Sequence, residues 1–343
     1  MTQMDSNIFF SFFYSKEFLL AFFTTLSVAT LFTWFILNSK RFNQFLDIPN
    51  QRSLHASPIP RLGGLAIIAS ITFSVSLYSP ELLYLLPFLL VLSTLSFLDD
   101  LITIKPLIRL AVHFLTALTF LFTFDLLSNY LFFIILLFFL VWVINMYNFM
   151  DGSDGLAAGM SVIGFSCYAV LSIILGDLNF AILNIIIIAA CTGFLFFNFP
   201  PAKIFMGDTG SISLGFLCGA LGVIGWYKLL WPAWFPLIVF SPFIIDSSIT
   251  LLKRFIKKES LTEAHRSHYY QRAILIGYSH KQVVLFSYAI MICVGILGVF
   301  AAIFNTQEIT FFIFILIFLS FGLIFRFVDI MWSRHLLNNI KND

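Results

Sequence analysis

Charge is what this 343-residue sequence has least of. Asp, Glu, Lys and Arg make up 10% of it, against roughly 25% in average soluble proteins, while 60% is hydrophobic. That shortage excludes a soluble globular chain. Cysteine is nearly absent too: Cys167, Cys191, Cys218 and Cys293 lie in apolar runs without metal-ligand spacing. No zinc site follows from them, and they read as small core residues. Neither an internal repeat nor a separate soluble domain interrupts the sequence, so 1–343 reads as a single transmembrane catalytic domain. The formal net charge of +2 says little, and no nucleic-acid partner is expected.

What the sequence does have is apolar runs. A membrane-spanning helix needs about 17–25 mainly apolar residues. Eleven stretches qualify, near 17–37, 63–79, 82–98, 107–124, 130–147, 156–175, 179–197, 211–227, 234–252, 283–304 and 309–328. The first is followed by Asn38-Ser39-Lys40-Arg41 and lacks a small-residue cleavage site, so it reads as a retained anchor. The fold class expected is therefore all-α and polytopic, an integral membrane protein of about eleven transmembrane helices. With the N-terminus outside, 17 of the 19 Lys and Arg fall on the inner side and only Lys16 and Lys228 outside. That bias places the N-terminus in the periplasm and the C-terminus in the cytoplasm. Short loops suggest a bacterial inner membrane.

The same count sorts the polar motifs. Segments 47–64, 97–109, 145–155, 198–211 and 263–272 all land on the cytoplasmic side. A channel or transporter would place polar groups at the midplane, in broken helices. Polar groups gathered at one interface suit an enzyme that joins a water-soluble substrate to a lipid headgroup.

Five aspartates stand out within these segments. Asp99 and Asp100 end a helix where the macrodipole disfavours negative charge. Such a pair needs a cation or a basic partner, or one member has a raised pKa, as suits a general base. Asp208 lies in Phe205-Met206-Gly207-Asp208-Thr209-Gly210-Ser211, whose glycines allow close approach and whose following helix offers N–H groups to phosphate oxygens. Asn145, Asn148, Asp151 and Asp154 recur every three residues and fall on one side of a helical path. Carboxylates handle phosphates through a bridging cation, and hard oxygen ligands suit Mg²⁺, with Mn²⁺ also acceptable. Arg52, His55, Arg61, Lys105, Arg109, Lys203, His265, Arg266 and His268 supply the positive counterpart, Arg being suited to clamping phosphate.

In chain order, Asp47-x-Pro49-Asn50-x-Arg52-Ser53-x-His55-x-x-Pro58-x-Pro60-Arg61-x-Gly63-Gly64, Asp99-Asp100, Asn145-x-x-Asn148-x-x-Asp151-Gly-x-Asp154-Gly155, Phe205-Met-Gly-Asp208-Thr-Gly-Ser211 and His265-Arg-Ser-His268 resemble the polyprenyl-phosphate N-acetylhexosamine-1-phosphate transferases. The resemblance covers roughly 47–282. It implies ten or eleven spans and a cytoplasmic Mg²⁺ site with Asp208 and Asn148 as ligands. It implies that Asp99 and Asp100 engage or deprotonate undecaprenyl phosphate, and that Asp151 and Asp154 lie near the nucleotide of a UDP-sugar. Phe205 would stack on uracil, while His265, Arg266 and His268 hold the diphosphate or sugar. Arg52, His55, Arg61, Arg109, Asn145 and Lys203 complete the substrate-binding set, and the family admits a homodimer. Where many members carry a His-x-His-His run, His265-Arg266-Ser267-His268 looks more like the branch that initiates O-antigen with 6-deoxy sugars such as FucNAc or QuiNAc.

Two rivals are weighed. Asp151-x-x-Asp154-Gly155-x-x-Ala158 begins a CDP-alcohol phosphotransferase pattern, but Gly159, Tyr168, Ser172 and Gly176 occupy its later Arg, Gly and Asp places. A lipid-linked sugar flippase would predict polar residues in mid-span. Among the remaining polar residues, Asp246 is expected to pair with Arg254, His113 to be a satisfied core residue, and His280 and His335 to lie at the surface.

Overall fold

The computed structural model describes residues 15–49, 54, 57–124, 129–260 and 265–342. Among the described residues thirteen α-helices run in chain order, and the only sheet is a two-residue antiparallel pair, β1 (Leu46–Asp47) with β2 (Ile59–Pro60). The first eight helices are α1 (Lys16–Asn38), α2 (Gly63–Tyr78), α3 (Leu86–Ile102), α4 (Pro106–Leu121), α5 (Tyr130–Phe149), α6 (Leu156–Ile174), α7 (Leu178–Asn198) and α8 (Gly207–Tyr227). Then follow α9 (Phe235–Val239), α10 (Ser241–Ile256), α11 (Tyr269–Ile276), α12 (His280–Phe304) and α13 (Gln307–Asn342).

The protein is an all-α, polytopic membrane protein. Among the described residues, eight helical segments are long and apolar enough to cross a bilayer, and α2 and α4 are shorter apolar helices. Each of the eleven apolar stretches falls on helix. The stretch 234–252 is not one helix, however. It breaks at Phe240, where Ser241-Pro242 restarts the chain as α10, because proline lacks the N–H that would continue the ladder and suits a first turn.

Local signals set the helix ends. Ser15 caps α1 by accepting from Phe18 N at 3.2 Å, and Asn129 and Asp177 cap α5 and α7 in the same way. Ser279 and Gln282 form a capping box that starts α12 at His280, three residues before the apolar run.

The helix α8 is the centre of the molecule. Of its apolar window 94% is buried, against 22% for α13 at the rim. It is packed by α2, α3, α5, α6 and α9, and small residues allow this. A Cβ added at Gly215 would meet Tyr147 Cβ at 2.8 Å and Ile144 Cα at 3.0 Å, so α5 crosses α8 almost backbone to backbone. Of the cysteines, Cys167, Cys191 and Cys218 are buried as expected, whereas Cys293 is exposed on the outer face of α12. A thiol is apolar enough to sit on a helix face turned toward lipid.

Candidate active site

The ends of α3, α5 and α7 meet the starts of α2, α4, α6, α8 and α12 at one end of the bundle. The loop before α2 is zipped to the loop before α8. Phe205 N donates to Pro60 O at 2.7 Å, Gly63 N to Phe205 O at 2.9 Å, and Gly64 N to Met206 O at 2.8 Å. Arg61 and Asp208 are thereby brought to one rim. At Gly207 (φ +70°) any Cβ would collide with Arg61 O at 2.5 Å, so both the conformation and the space there call for glycine.

The rim encloses a cleft of about 450 Å³ lined by Asp47, Arg61, Asp100, Asn148, Asp151, Asp154, Phe205 and Asp208, among others. Arg109, on the first turns of α4, bridges two of the acids. Its Nη1 donates to Asp99 Oδ2 at 2.6 Å and to Asp208 Oδ2 at 3.2 Å. Asp99 Oδ1 accepts from Ile104 N, so both its oxygens are engaged. Asp100 differs. Its Oδ1 lies 3.6 Å from Arg61 Nε, and its Oδ2 is buried without a hydrogen-bond partner among the described residues. A buried carboxylate oxygen left unpaired is costly unless a ligand completes it.

Asn148, at the end of α5, accepts from Ser211 Oγ at 2.8 Å through Oδ1 and lies against Asp208. Burial pushes the Asp151 carboxyl well above the usual carboxylate range, and the neighbouring Asp208 charge adds to the shift. Asp154 is partly spent on structure. Its Oδ2 accepts from Ala202 N at 3.0 Å, and together with Asn198, which links Gly155 N to Ile204 O, it clamps the loop from α7 to α8. Donors here are all oxygen. Among the described residues no three Asp, Glu, His or Cys side chains converge into a closed metal cage. Asp208 and Asn148 lie against each other at the rim, and oxygen donors of this kind are those that suit Mg²⁺.

Other expected residues stand elsewhere. Asn145 is one turn back on α5, with Nδ2 donating to Val141 O at 2.7 Å and Oδ1 lying 3.3 Å from His113 Nδ1, and it does not line the cleft. Lys203 and Arg266 are exposed and outside the cleft lining. His265 is half-buried, its Nδ1 2.8 Å from Ser267 Oγ; burial, then the neighbouring His268, pushes its pKa down to about 4. His268 is buried and bonded to Asp246 rather than aligned along the cleft. Arg52 and His55 lie outside the described residues.

Three readings of the weaker residues change. Asp246 pairs with His268, while Arg254 turns to Glu259 at 2.9 Å, because the chain doubles back beyond α10 and brings α11 over Asp246. His280 is no surface residue: it lines the cleft, with Nδ1 3.1 Å from Ser153 Oγ and Nε2 3.2 Å from Leu54 O. The Ser279/Gln282 capping box is the signal that would have found it. His113 is buried as expected, but its Nε2 has no hydrogen-bond partner among the described residues. Tyr270, Gln271, Ser153 and Asn198 also line the cleft and carried no signal of their own.

The chain is similar to known proteins over most of its length. Residues 82–226 match the family model described as glycosyl transferase family 4. A probable undecaprenyl-phosphate N-acetylglucosaminyl 1-phosphate transferase of Bacillus subtilis (strain 168) is 33% identical over 264 residues, covering 71% of this chain and 74% of the relative. The chain belongs to the polyprenyl-phosphate hexosamine-1-phosphate transferase family. A phospho-N-acetylmuramoyl-pentapeptide-transferase of Anoxybacillus flavithermus is 30% identical over 317 residues, 82% of this chain and 95% of the relative. A decaprenyl-phosphate N-acetylglucosaminephosphotransferase of Mycobacterium leprae is 29% identical over 305 residues, 74% of this chain and 75% of the relative. In this family member the matched segment contains the Asp99-Asp100 pair, the Asn148–Asp154 stripe and Asp208.

Proposed function

We propose that the protein transfers an N-acetylhexosamine 1-phosphate from a UDP-sugar to undecaprenyl phosphate, releasing UMP and initiating a lipid-linked cell-envelope glycan. One observation carries this reading: Asp47, Asp100, Asp151, Asp154, Asp208 and Arg61 line one polar cleft at one end of a membrane bundle, and beside it Arg109 bridges Asp99 and Asp208. The cleft end is the cytoplasmic end, with eleven spans and a periplasmic N-terminus in a bacterial inner membrane.

In the reaction, a lipid phosphate oxygen attacks the β-phosphorus of the UDP-sugar. A bond forms there, the bond from that phosphorus to the bridging oxygen breaks, and UMP leaves. Asp100 is the better placed base, because Asp99 is saturated by Ile104 N and Arg109 while Asp100 keeps a free oxygen. Arg61 and Arg109 neutralise phosphate charge, and Phe205 lies at the wall where a uracil ring would stack. Mg²⁺, held by Asp208 and Asn148, would supply further neutralisation of the charge that develops on the phosphates. Asp151 stands beside them, its carboxyl raised by burial and by the neighbouring Asp208 charge.

The histidine motif favours a 6-deoxy N-acetylhexosamine, while two of the relatives are named for GlcNAc transfer. The test is UMP release from purified protein, undecaprenyl phosphate and a panel of UDP-sugars, with Mg²⁺ present or removed by EDTA. Release with UDP-FucNAc or UDP-QuiNAc supports reaction and branch. Release with UDP-GlcNAc alone keeps the reaction and discards the 6-deoxy preference. No UMP from any donor overturns the reading.

A further inference from the structure

Asp246 is a carboxylate with four hydrogen-bond donors on it, and it lies outside the cleft. It sits on α10, six residues after the break at Phe240, and is buried to 4% exposure. Four donors converge on it. Oδ1 accepts from His268 Nδ1 at 3.2 Å, Tyr269 N at 3.0 Å and Thr250 Oγ1 at 3.1 Å; Oδ2 accepts from Tyr270 N at 3.2 Å. Two of these are backbone N–H groups of the first turn of α11, which have no partner within their own helix. A carboxylate so placed closes the start of α11 from outside and favours its dipole. Burying a carboxylate this deeply is costly unless it is fully bonded, so the arrangement fixes where α11 can lie.

What α11 carries makes that placement matter. The His268 ring is stacked between two cleft-lining rings, Phe149 (centroids 6.3 Å apart) and Tyr270 (6.0 Å). Tyr270 Oη donates to Phe149 O at 3.1 Å, and a Cβ at Gly152 would collide with that hydroxyl at 2.2 Å. Thus α11 is fitted closely against the end of α5, where Asn148 and Asp151 stand. A carboxylate can only accept, so His268 Nδ1 must carry the hydrogen in that bond. The nitrogen left for other work is Nε2.

We propose that Asp246 is a positioning residue: by bonding His268 Nδ1–H and the first N–H groups of α11, it holds the His268 ring against Phe149 and Tyr270 of the cleft wall and pins α11 to the end of α5. The inference rests on the sugar-phosphate transfer reading. Removing a carboxylate behind a metal-ligating histidine commonly costs tenfold to a hundredfold, and the orienting bond on His268 is of the same kind. Asp246→Asn keeps the shape but turns an acceptor oxygen into a donor facing an N–H.

The experiment measures UMP release by wild type, Asp246→Asn, His268→Gln and the double variant, with kcat and KM separated. Expected is a kcat about tenfold to a hundredfold lower in Asp246→Asn, with KM for the UDP-sugar within about threefold of wild type. In the His268→Gln background, Asp246→Asn is expected to cost several-fold less than in wild type, since the bond to His268 is gone while those to the α11 backbone remain. Equal costs in both backgrounds, or an unchanged kcat, overturns the proposal. Should Asp246→Asn fail to fold, ¹⁵N-histidine spectra of the wild type decide: a neutral His268 protonated on Nδ1 supports the proposal, and one protonated on Nε2 overturns it. Those spectra need no turnover. If wild type releases no UMP, the transfer reading fails on its own, and the Asp246–His268 bond is still tested.

Discussion

Two neighbouring aspartates at the end of α3 look equivalent in the sequence and are not equivalent in the fold. Asp99 faces Ile104 N and Arg109, and Asp100 keeps one buried oxygen without a partner among the described residues. Base catalysis contributes about 10²–10⁴-fold, so Asp100→Asn is expected to lower kcat for UMP release by that order with a modest change in KM. Asp99→Asn loosens Arg109 instead, and its main effect is expected on KM for the phosphate-bearing substrates. Steady-state kinetics on both variants checks the division; equal kcat losses would remove it. A second residue-scale prediction concerns His265. Its pKa falls from the ordinary 6.5 to about 4, first through burial and then through His268. The folded protein therefore binds that proton less readily than the unfolded chain. Stability from this group is present above pH 6.5 and is lost as pH falls toward 4. His265 is half-exposed, so the effect is small: between pH 7 and pH 4.5, melting temperature should fall by ~1–2 °C more in wild type than in His265→Gln. Parallel melting curves would contradict the neutral, desolvated ring.

Glycine contacts join these residues at the scale of elements. The starts of α2 and α8 touch at Gly64 and Gly210, where a Cβ on Gly64 would meet Gly210 N at 2.2 Å and Met206 O at 2.9 Å. Those atoms are backbone and cannot turn aside. Gly64→Ala should destabilise by about 1–3 kcal/mol and also shift the first turn of α8, which carries Asp208. Expected outcomes are a lower melting temperature and a loss of UMP release larger than the unfolded fraction explains; a variant melting like wild type with full turnover would show that the two starts have slack. Much at this scale was legible. Hydrophobic length located helix under all eleven apolar stretches, because a run with so few charges has few other ways to satisfy its backbone. Start points were less legible. Apolarity begins at 211 and 283, whereas α8 starts at Gly207 and α12 at His280, through a positive-φ glycine and a capping box that hydropathy ignores. That difference is why Asp208 belongs to a helical turn and why His280 reaches the cleft. Pairings between distant segments were not legible at all. The Asp246–His268 bond depends on how the chain turns back after α10, and no spacing rule encodes that.

For the whole molecule, the charges define two unlike ends. The acid–arginine cleft, the His265–His268 segment and most Lys and Arg lie toward one end, while the opposite end holds Lys228, bonded to Asp177 at 2.5 Å. The long α13 belongs to the first end as well. At 36 residues it extends about 54 Å, longer than a hydrocarbon core of about 30 Å. Its Asp329 takes Lys253 Nζ at 2.7 Å and Arg272 Nη1 at 3.0 Å, tying the rim helix to α10 and α11. Basic residues resist translocation, so a 17-to-2 division of Lys and Arg is the argument for the proposed cytoplasmic position of the cleft end. UDP-sugars are made there, which makes orientation a requirement of the proposed chemistry as well as of insertion. The prediction is tested with single cysteines at positions 203 and 228 in a cysteine-free background, using a membrane-impermeant maleimide on intact cells. Position 228 should label at once, and position 203 only after the membrane is opened. The reverse pattern would put the cleft outside, away from its nucleotide donor, and the proposed reaction would lose its substrate along with its orientation.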